Sequence, residues 1–395
     1  MRYLFGLMCV CALGVIPLVG CGENGGAGGS GGTAGSGGAG GGMGGDGGNG
    51  GTAGNGGAGG MTGQEFPCTE QGIRDAIARG GGPHYFECDG TAPVLPTQTI
   101  IIDSSVVLDG EGKLTVDGDH ARRVFEVAGG VTVELRGFRV SGGRGATCRT
   151  CQGAGAILNR GSSLILTDCT VSENENLGFN PFGVGRPGNV TNFGFLTLTN
   201  TTVSNNVGGG VYNEGGATIS NSTVSGNTGY GELDIWPYGI DNRGYATVSN
   251  STISGAKAIF VSGWSGSASG IDIVATLVEG ECSREGDAVS WTSNGYNIES
   301  PGNTCGLNQT GDLSNVTAEQ LNLKQLDGNG RPTQTHALGL LPTPSVAIDH
   351  IPEAECLDPQ GKPLTTDQRG LQRPVAILGP EPKCDVGSVE VQPAL

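Results

Sequence analysis

Four stretches of this chain are variants of one phrase: ILNRGSSLILTDCTVSEN from Ile157, VTNFGFLTLTNTTVSNN from Val190, VYNEGGATISNSTVSGN from Val211 and IDNRGYATVSNSTISG from Ile240. Self-similarity at a period of a few tens of residues marks a stacked fold in which no unit can bury its apolar face alone. Anchored on the aliphatic residue of the T-V-S signature (Val171, Val203, Val224, Ile253), the position seven before reads Leu164, Leu196, Ala217, Ala246. The position five before reads Leu166, Leu198, Ile219, Val248. Divergent units fit at Val133/Leu135/Val140, at Ile271/Ile273/Val278 and upstream at Ile100/Ile102/Val107. Offsets of two put alternate side chains on one face, which is strand geometry, and no stripe at spacings of three and four runs through these units. Such short strands bury a core only if each unit is one coil and equivalent residues stack, with strands parallel and about 4.8 Å apart. The expected fold class is all-β: a right-handed parallel β-helix over residues 95–300.

Three further columns support the register. Two before the anchor stand Phe138, Cys169, Thr201, Ser222, Ser251 and Thr276, an expected inward column of small residues. Three before it stand Asp168, Asn200, Asn221 and Asn250, suited to a left-handed bend. Three after it stand Asn174, Asn206 and Asn227, fit for a ladder of side-chain amides.

The ends are different in kind. Residues 1–21 combine Arg2, an apolar run from Leu4 to Val15 and the tetrad Leu18-Val19-Gly20-Cys21, which resembles a bacterial lipobox. Cleavage before Cys21 would leave it lipidated and attach the chain to a membrane; Gly22, in place of an Asp, favours the outer membrane or cell surface. Residues 22–63 are more than half Gly and are expected to form a disordered tether with a reach of roughly 35 Å for about 42 residues. A cap is expected over 64–94 with a short helix from Thr69 to Arg79, where Ile73, Ala76 and Ile77 share a face, and a loop-rich C-terminal cap segment over 301–395. The formal charge of −17 argues against nucleic acid as a partner.

Of twelve cysteines, nine follow Cys21. Cys169 occupies the inward column and is expected as a buried thiol. Proximity along the chain pairs the remaining eight as Cys68–Cys88, Cys148–Cys151, Cys282–Cys305 and Cys356–Cys384, although connectivity stays open at this level.

The coils resemble the pectate-lyase-type β-helix. The opening CTEQGIRDAIARG (68–80) resembles the Cys-containing helix that begins many secreted bacterial β-helix proteins. The series SNGYNI (293–298), GNGRPTQTHAL (328–338), PSVAID (344–349), TTDQRGLQRP (365–374) and CDVGSVE (384–390) is similar to choice-of-anchor Q domain proteins over most of 68–390. The resemblance implies architecture and carries over no catalytic residue. The family is named for variable C-terminal anchors; none precedes Leu395, so the lipid at Cys21 is expected in that role.

Chemistry is sparse. No metalloprotease, P-loop, dinucleotide or nucleophile-elbow motif occurs, His84, His120, His336 and His350 are dispersed, and no metal or cofactor is expected. Asp168, Glu214, Asp241 and Asp272 fall at different offsets, and Glu214 with Arg243 reads as a solvated surface pair. The segment between anchor and next Asn takes ten residues from Val203 to Asn213, but nineteen from Val140 to Asn159, twenty-one from Val171 to Asn192 and eighteen from Val224 to Asn242. Three long loops should therefore leave one flank. They carry Phe179, Phe182, Tyr230, Glu232, Asp234, Trp236 and Tyr238, aromatic and acidic residues suited to stacking on sugars or to shielding the wall. The expected function is a non-enzymatic surface lipoprotein for adhesion or polysaccharide binding; the alternative is a polysaccharide lyase or glycoside hydrolase on acidic polysaccharide. A purely structural envelope component is a third reading. Oligomeric state is left open.

Overall fold

Short strands with inward aliphatics at every second residue have one way to dry both those residues and their backbone, which is to stack coil on coil. In the computed structural model, which describes residues 63–145, 153–176, 188–229, 238–263, 268–329 and 333–393, twenty-two strands join in one continuous sheet that forms a parallel β-helix. Three ladders run along its axis. The first pairs Ile100, Phe125, Ile157, Val190, Val211, Ile240, Ile259 and Cys282. The second pairs Val106, Val133, Leu164, Leu196, Ala217, Ala246, Ile271 and Trp291. The third pairs Val116, Val140, Val171, Val203, Val224, Ile253, Val278 and Glu299. Most of these inward residues belong to one buried cluster.

The register expected around the anchors holds, with one exception. Ile100 and Ile102 belong to the first ladder, and the true upstream unit is Val106/Leu108/Val116 rather than Ile100/Ile102/Val107. The cause is an insertion: Asp109 and Leu114 face Arg136 and Phe138, so the first coil carries three extra residues between columns that elsewhere keep a fixed offset.

Corners are set by side chains and by glycine. Asp168, Asn200, Asn221 and Asn250 take φ of 54°, 51°, 50° and 48°, the left-handed bend that Asn and Asp tolerate best among non-glycine residues. Asn174, Asn206 and Asn227 pass a side-chain amide hydrogen bond from coil to coil at 2.9 Å. A second ladder of the same kind runs through Asn159, Asn192, Asn213 and Asn242, each Nδ2 donating to the next Oδ1 at 2.7 Å. It ends in a turn so tight that a Cβ on Gly215 or Gly244 would stand 2.0 Å from the preceding coil's Gly194 or Gly215 carbonyl oxygen.

The helix α1 spans Glu70–Arg79. Thr69 caps it by accepting from Gly72 N at 3.1 Å, and Ile73, Ala76 and Ile77 are buried in the core at this end. The parallel sheet itself begins earlier than residue 95, with Glu65–Pro67 and Gly81–Glu87 already paired. Disulfides join Cys68–Cys88, Cys282–Cys305 and Cys356–Cys384, and Cys169 is a buried free thiol pushed up to about 12 by burial.

The loop-rich segment after Ser300 does more than close an end. It returns along the outer side of the third ladder, where Thr202, Thr223 and Thr252 point outward. Thr223 Oγ1 donates to Gln368 Oε1 at 2.6 Å, Gln368 Nε2 to Thr202 Oγ1 at 2.8 Å, and Ser388 N to Thr252 Oγ1 at 3.1 Å. A second apolar cluster seals this strap against the last coils through Leu277, Ile298, Leu338, Ile348 and Val386. Among the described residues no helix is long and apolar enough to cross a membrane.

Candidate functional site

The flank bearing the long loops can be built from its stems. Arg144, Glu175, Val207 and Thr228 pair in parallel as one column, so the three chain departures near residues 145, 176 and 229 share a side of the helix. Phe179, Phe182, Tyr230, Glu232, Asp234 and Trp236 lie in these loops outside the described residues, as do Cys148 and Cys151. Cys21 and the Gly-rich segment also lie outside them. Tyr238, where the third loop rejoins the sheet, is half-buried, and its ring stacks on Phe260 of the next coil at 4.7 Å and 16°. One face of that ring is therefore spent on the wall.

Between the stems and the Asn corner, the outward residues of the first ladder are covered in its middle coils. Leu158, Thr191, Tyr212 and Asp241 are each at most 1% exposed, although strand alternation turns them away from the core. Arg243 makes two hydrogen bonds to Asp241, at 3.1 and 3.2 Å, its guanidinium lies 5.2 Å from the Tyr212 ring centre, and Tyr212 donates its hydroxyl proton to Glu214. Glu214 and Arg243 are neighbours as expected, Glu214 adding its attraction to the Arg243 charge, but the arginine is not solvated. Arg243 is bound by its own strand's Asp241, and the pair is only 13% and 2% exposed. Burial pushes the Asp241 carboxyl up against the pull of Arg243, and burial, with Glu214 beside it, pushes the Tyr212 phenol up. Three coils toward the N-terminal end, Glu126 bridges Arg123 and Arg160, both at 2.5 Å. Burial raises Glu126, yet the two guanidinium groups hold it below its ordinary value. A carboxyl clamped on both oxygens, as Glu126 and Asp241 are, is badly placed to pass a proton to a substrate, and Asp241 is also shut from solvent. This flank is braced by its charges.

A groove of about 310 Å³ lies elsewhere, where the second ladder meets the C-terminal strap. It is lined by Asp109, Arg136, Asp168, Thr333, Gln368 and Arg369 among others. Arg136 is held by Glu134 at 2.7 and 2.9 Å, and Arg369 by Asp367 at 2.6 and 2.9 Å. Asp168 is exposed at the mouth, and desolvation by the groove, with Asp109 adding repulsion, raises its carboxyl above the usual range. Asp109 pairs with Arg136, and Arg136 with Thr167, so Asp109 and Asp168 are about two coils apart, roughly 9.6 Å along the axis. Asp168 stands one residue past the column that holds Asp109, Arg136 and Thr167, and the three-residue insertion after Asp109 hides from the sequence that the two acids line one groove.

Among the described residues no group of three or more His, Cys, Asp or Glu converges to hold a metal ion. Set against models of protein families, curated proteins and solved structures, the chain gives no match.

Proposed function

We propose that this chain is a lipid-anchored surface protein of the bacterial envelope whose β-helix presents a polysaccharide-binding or adhesive flank. The observation that carries the reading is the single column of loop stems, Arg144, Glu175, Val207 and Thr228, beneath loops rich in aromatic and acidic residues. Insertions gathered on one side of a solenoid commonly build its binding face. The braced, shielded charges at the base of that flank suit a rigid platform better than proton transfer. The similarity of the terminal motifs to choice-of-anchor Q domain proteins and the lipobox-like tetrad at Cys21 support display at a cell surface, in the outer membrane or beyond it. A glycan array and a polysaccharide-cleavage assay on the same preparation test the reading. Retention of a glycan that Trp236→Ala weakens, without cleavage, is expected; release of reducing ends or unsaturated products would replace it with catalysis.

One observation favours that second reading, a glycoside hydrolase. Asp109 and Asp168 line one groove with their backbones about two coils apart, and Asp168 carries a raised pKa, the pairing of two carboxyl groups across a cleft that glycoside hydrolysis requires. Under it Asp168→Asn abolishes cleavage and leaves glycan binding in place.

A further inference from the structure

The largest exposed aromatic surfaces among the described residues are on neither the loop flank nor the groove. Phe195 is 70% exposed and Tyr245 is 53% exposed, and both belong to the outward side of the second ladder. They share a column: Ser163, Phe195, Gly216, Tyr245 and Gly270 pair in succession from coil to coil. Aromatic and glycine therefore alternate along the axis. Each ring leans across the glycine that follows it, since a Cβ on Gly216 would stand 2.9 Å from Phe195 Cδ1 and one on Gly270 3.0 Å from Tyr245 Cε2. A ring resting on a glycine and still more than half exposed turns its open face to solvent.

We infer that this column is a stacking platform for an extended, uncharged β-1,4-linked polysaccharide lying along the helix axis. Two coils separate the rings by about 9.6 Å. Alternate sugars of an extended β-1,4 chain repeat at closely that distance and present the same face. Sugars i and i+2 then stack on Phe195 and Tyr245, while sugar i+1 bridges the two rings at the level of Gly216, which adds no side chain of its own. Beside this column runs a second one, Thr197, Thr218, Thr247 and Asp272, supplying hydroxyl and carboxylate partners for the sugar edges. Tyr245 already points its hydroxyl to Asp272 Oδ2 at 3.3 Å. Neither column contains Lys or Arg from Ser163 to Gly270, and the chain's formal charge is −17, so a polyuronate would meet repulsion where a neutral glycan would not.

The backbone that carries the rings is also fixed in advance. The Phe195 carbonyl accepts from Asn159 Nδ2 at 3.3 Å and the Tyr245 carbonyl from Asn213 Nδ2 at 3.2 Å, so the buried amide ladder holds both backbones in register. Preorganised aromatics give contact area at low entropic cost.

This inference takes from the proposed function only the premise that the ligand is a glycan, and it uses a different face. Affinity electrophoresis of the full-length chain in gels containing soluble β-1,4-glucan, glucomannan, pullulan or polygalacturonate tests it. Retardation by the two β-1,4 glycans is expected, with Phe195→Ala and Tyr245→Ala each weakening it by about tenfold, and melting temperature unchanged. Retardation that survives the double variant but falls with Trp236→Ala overturns the platform and leaves the loop flank standing. Preference for pullulan or polygalacturonate overturns the ligand class. A concentration-dependent dimer that the double variant abolishes, with no glycan retained, overturns the platform in favour of self-association. Retardation by none of the four glycans overturns this inference, while the glycan array decides the proposed function separately.

Discussion

Asn192 stands in the middle of the buried amide ladder, accepting from Asn159 and donating to Asn213, each at 2.7 Å, with no exposed surface of its own. Replacing it with Ala takes the Asn192 partner from Asn213 Oδ1 and from the Gly194 N–H in a dry corner, while Asn159 Nδ2 keeps the Ser162 and Phe195 carbonyls. Each such orphan costs about 1–3 kcal/mol, so Asn192→Ala should lower stability by on the order of 2–4 kcal/mol, measured by denaturant unfolding. The exposed Asn308 changed to Ala should move it by less than about 0.5 kcal/mol. The two ladders differed in how far the sequence announced them. Asn174, Asn206 and Asn227 keep a constant distance after the anchor and were legible. Asn159, Asn192, Asn213 and Asn242 follow loops of unequal length, so their recurrence marked a landmark and not a hydrogen-bond chain. Phe195 and Tyr245 went unread for a different reason. They stand eight residues before their anchors, an outward position that neither the inward nor the corner columns include; aromatic alternating with glycine at that offset is the available signal.

At the scale of elements, the cap and the strap invite separate tests. Residues 64–90 contain the first two strands as well as α1, so deleting them removes more than a lid. Ile73→Asp leaves the strands and puts an unpaired charge into the core under the helix. Light scattering should then show aggregation from the uncovered end, and a soluble monomer with unchanged melting would argue against capping. The strap is held by Arg373, fully buried and paired with Glu390 at 3.1 Å, its Nη2 also donating to the Asp385 and Gly387 carbonyls. Burial pushes Asp385 up to about 6 and Glu390 up to about 8, against the attraction of Arg373. A carboxyl raised in the folded state stabilises most below its unfolded pKa and loses that contribution as pH climbs through the folded value. The strap should therefore open more readily between pH 4 and 8, visible as falling protection of the Gln368, Gly387 and Ser388 amides in hydrogen exchange after correction for intrinsic rate. Glu390→Gln should flatten the trend. Glu126, held below its ordinary value by two arginines, acts in the opposite sense: its contribution is present above that value and is lost in acid.

For the whole molecule, the inward pattern gave the architecture away, because in a stacked fold each buried position is stated once per coil and errors in one coil are corrected by its neighbours. The groove was not legible. It joins Asp109 and Asp168 to Thr333, Gln368 and Arg369, residues about two hundred positions later in a segment with no repeat. Long-range, single-copy contacts of that kind leave no period to detect. The proposed attachment to a membrane is tested on the entire chain: Cys21→Ser should move the protein from the membrane fraction to the soluble fraction. Mass spectrometry of the native N-terminus should find acyl groups on Cys21.

The direction of the hydrogen bonds in the three ladders has a mechanical consequence. Strands run across the β-helix, so their backbone bonds point from coil to coil along its axis. A pull along that axis loads all the bonds between two neighbouring coils together, while successive interfaces bear the same force in series, and the weakest of them sets the yield. A pull across the axis meets covalent backbone first. Held at one end and gripped by a ligand along its side, such a rod transmits a sideways tug stiffly and gives way lengthwise one coil interface at a time. It behaves as a stiff lever transversely and as a mechanical fuse along its length.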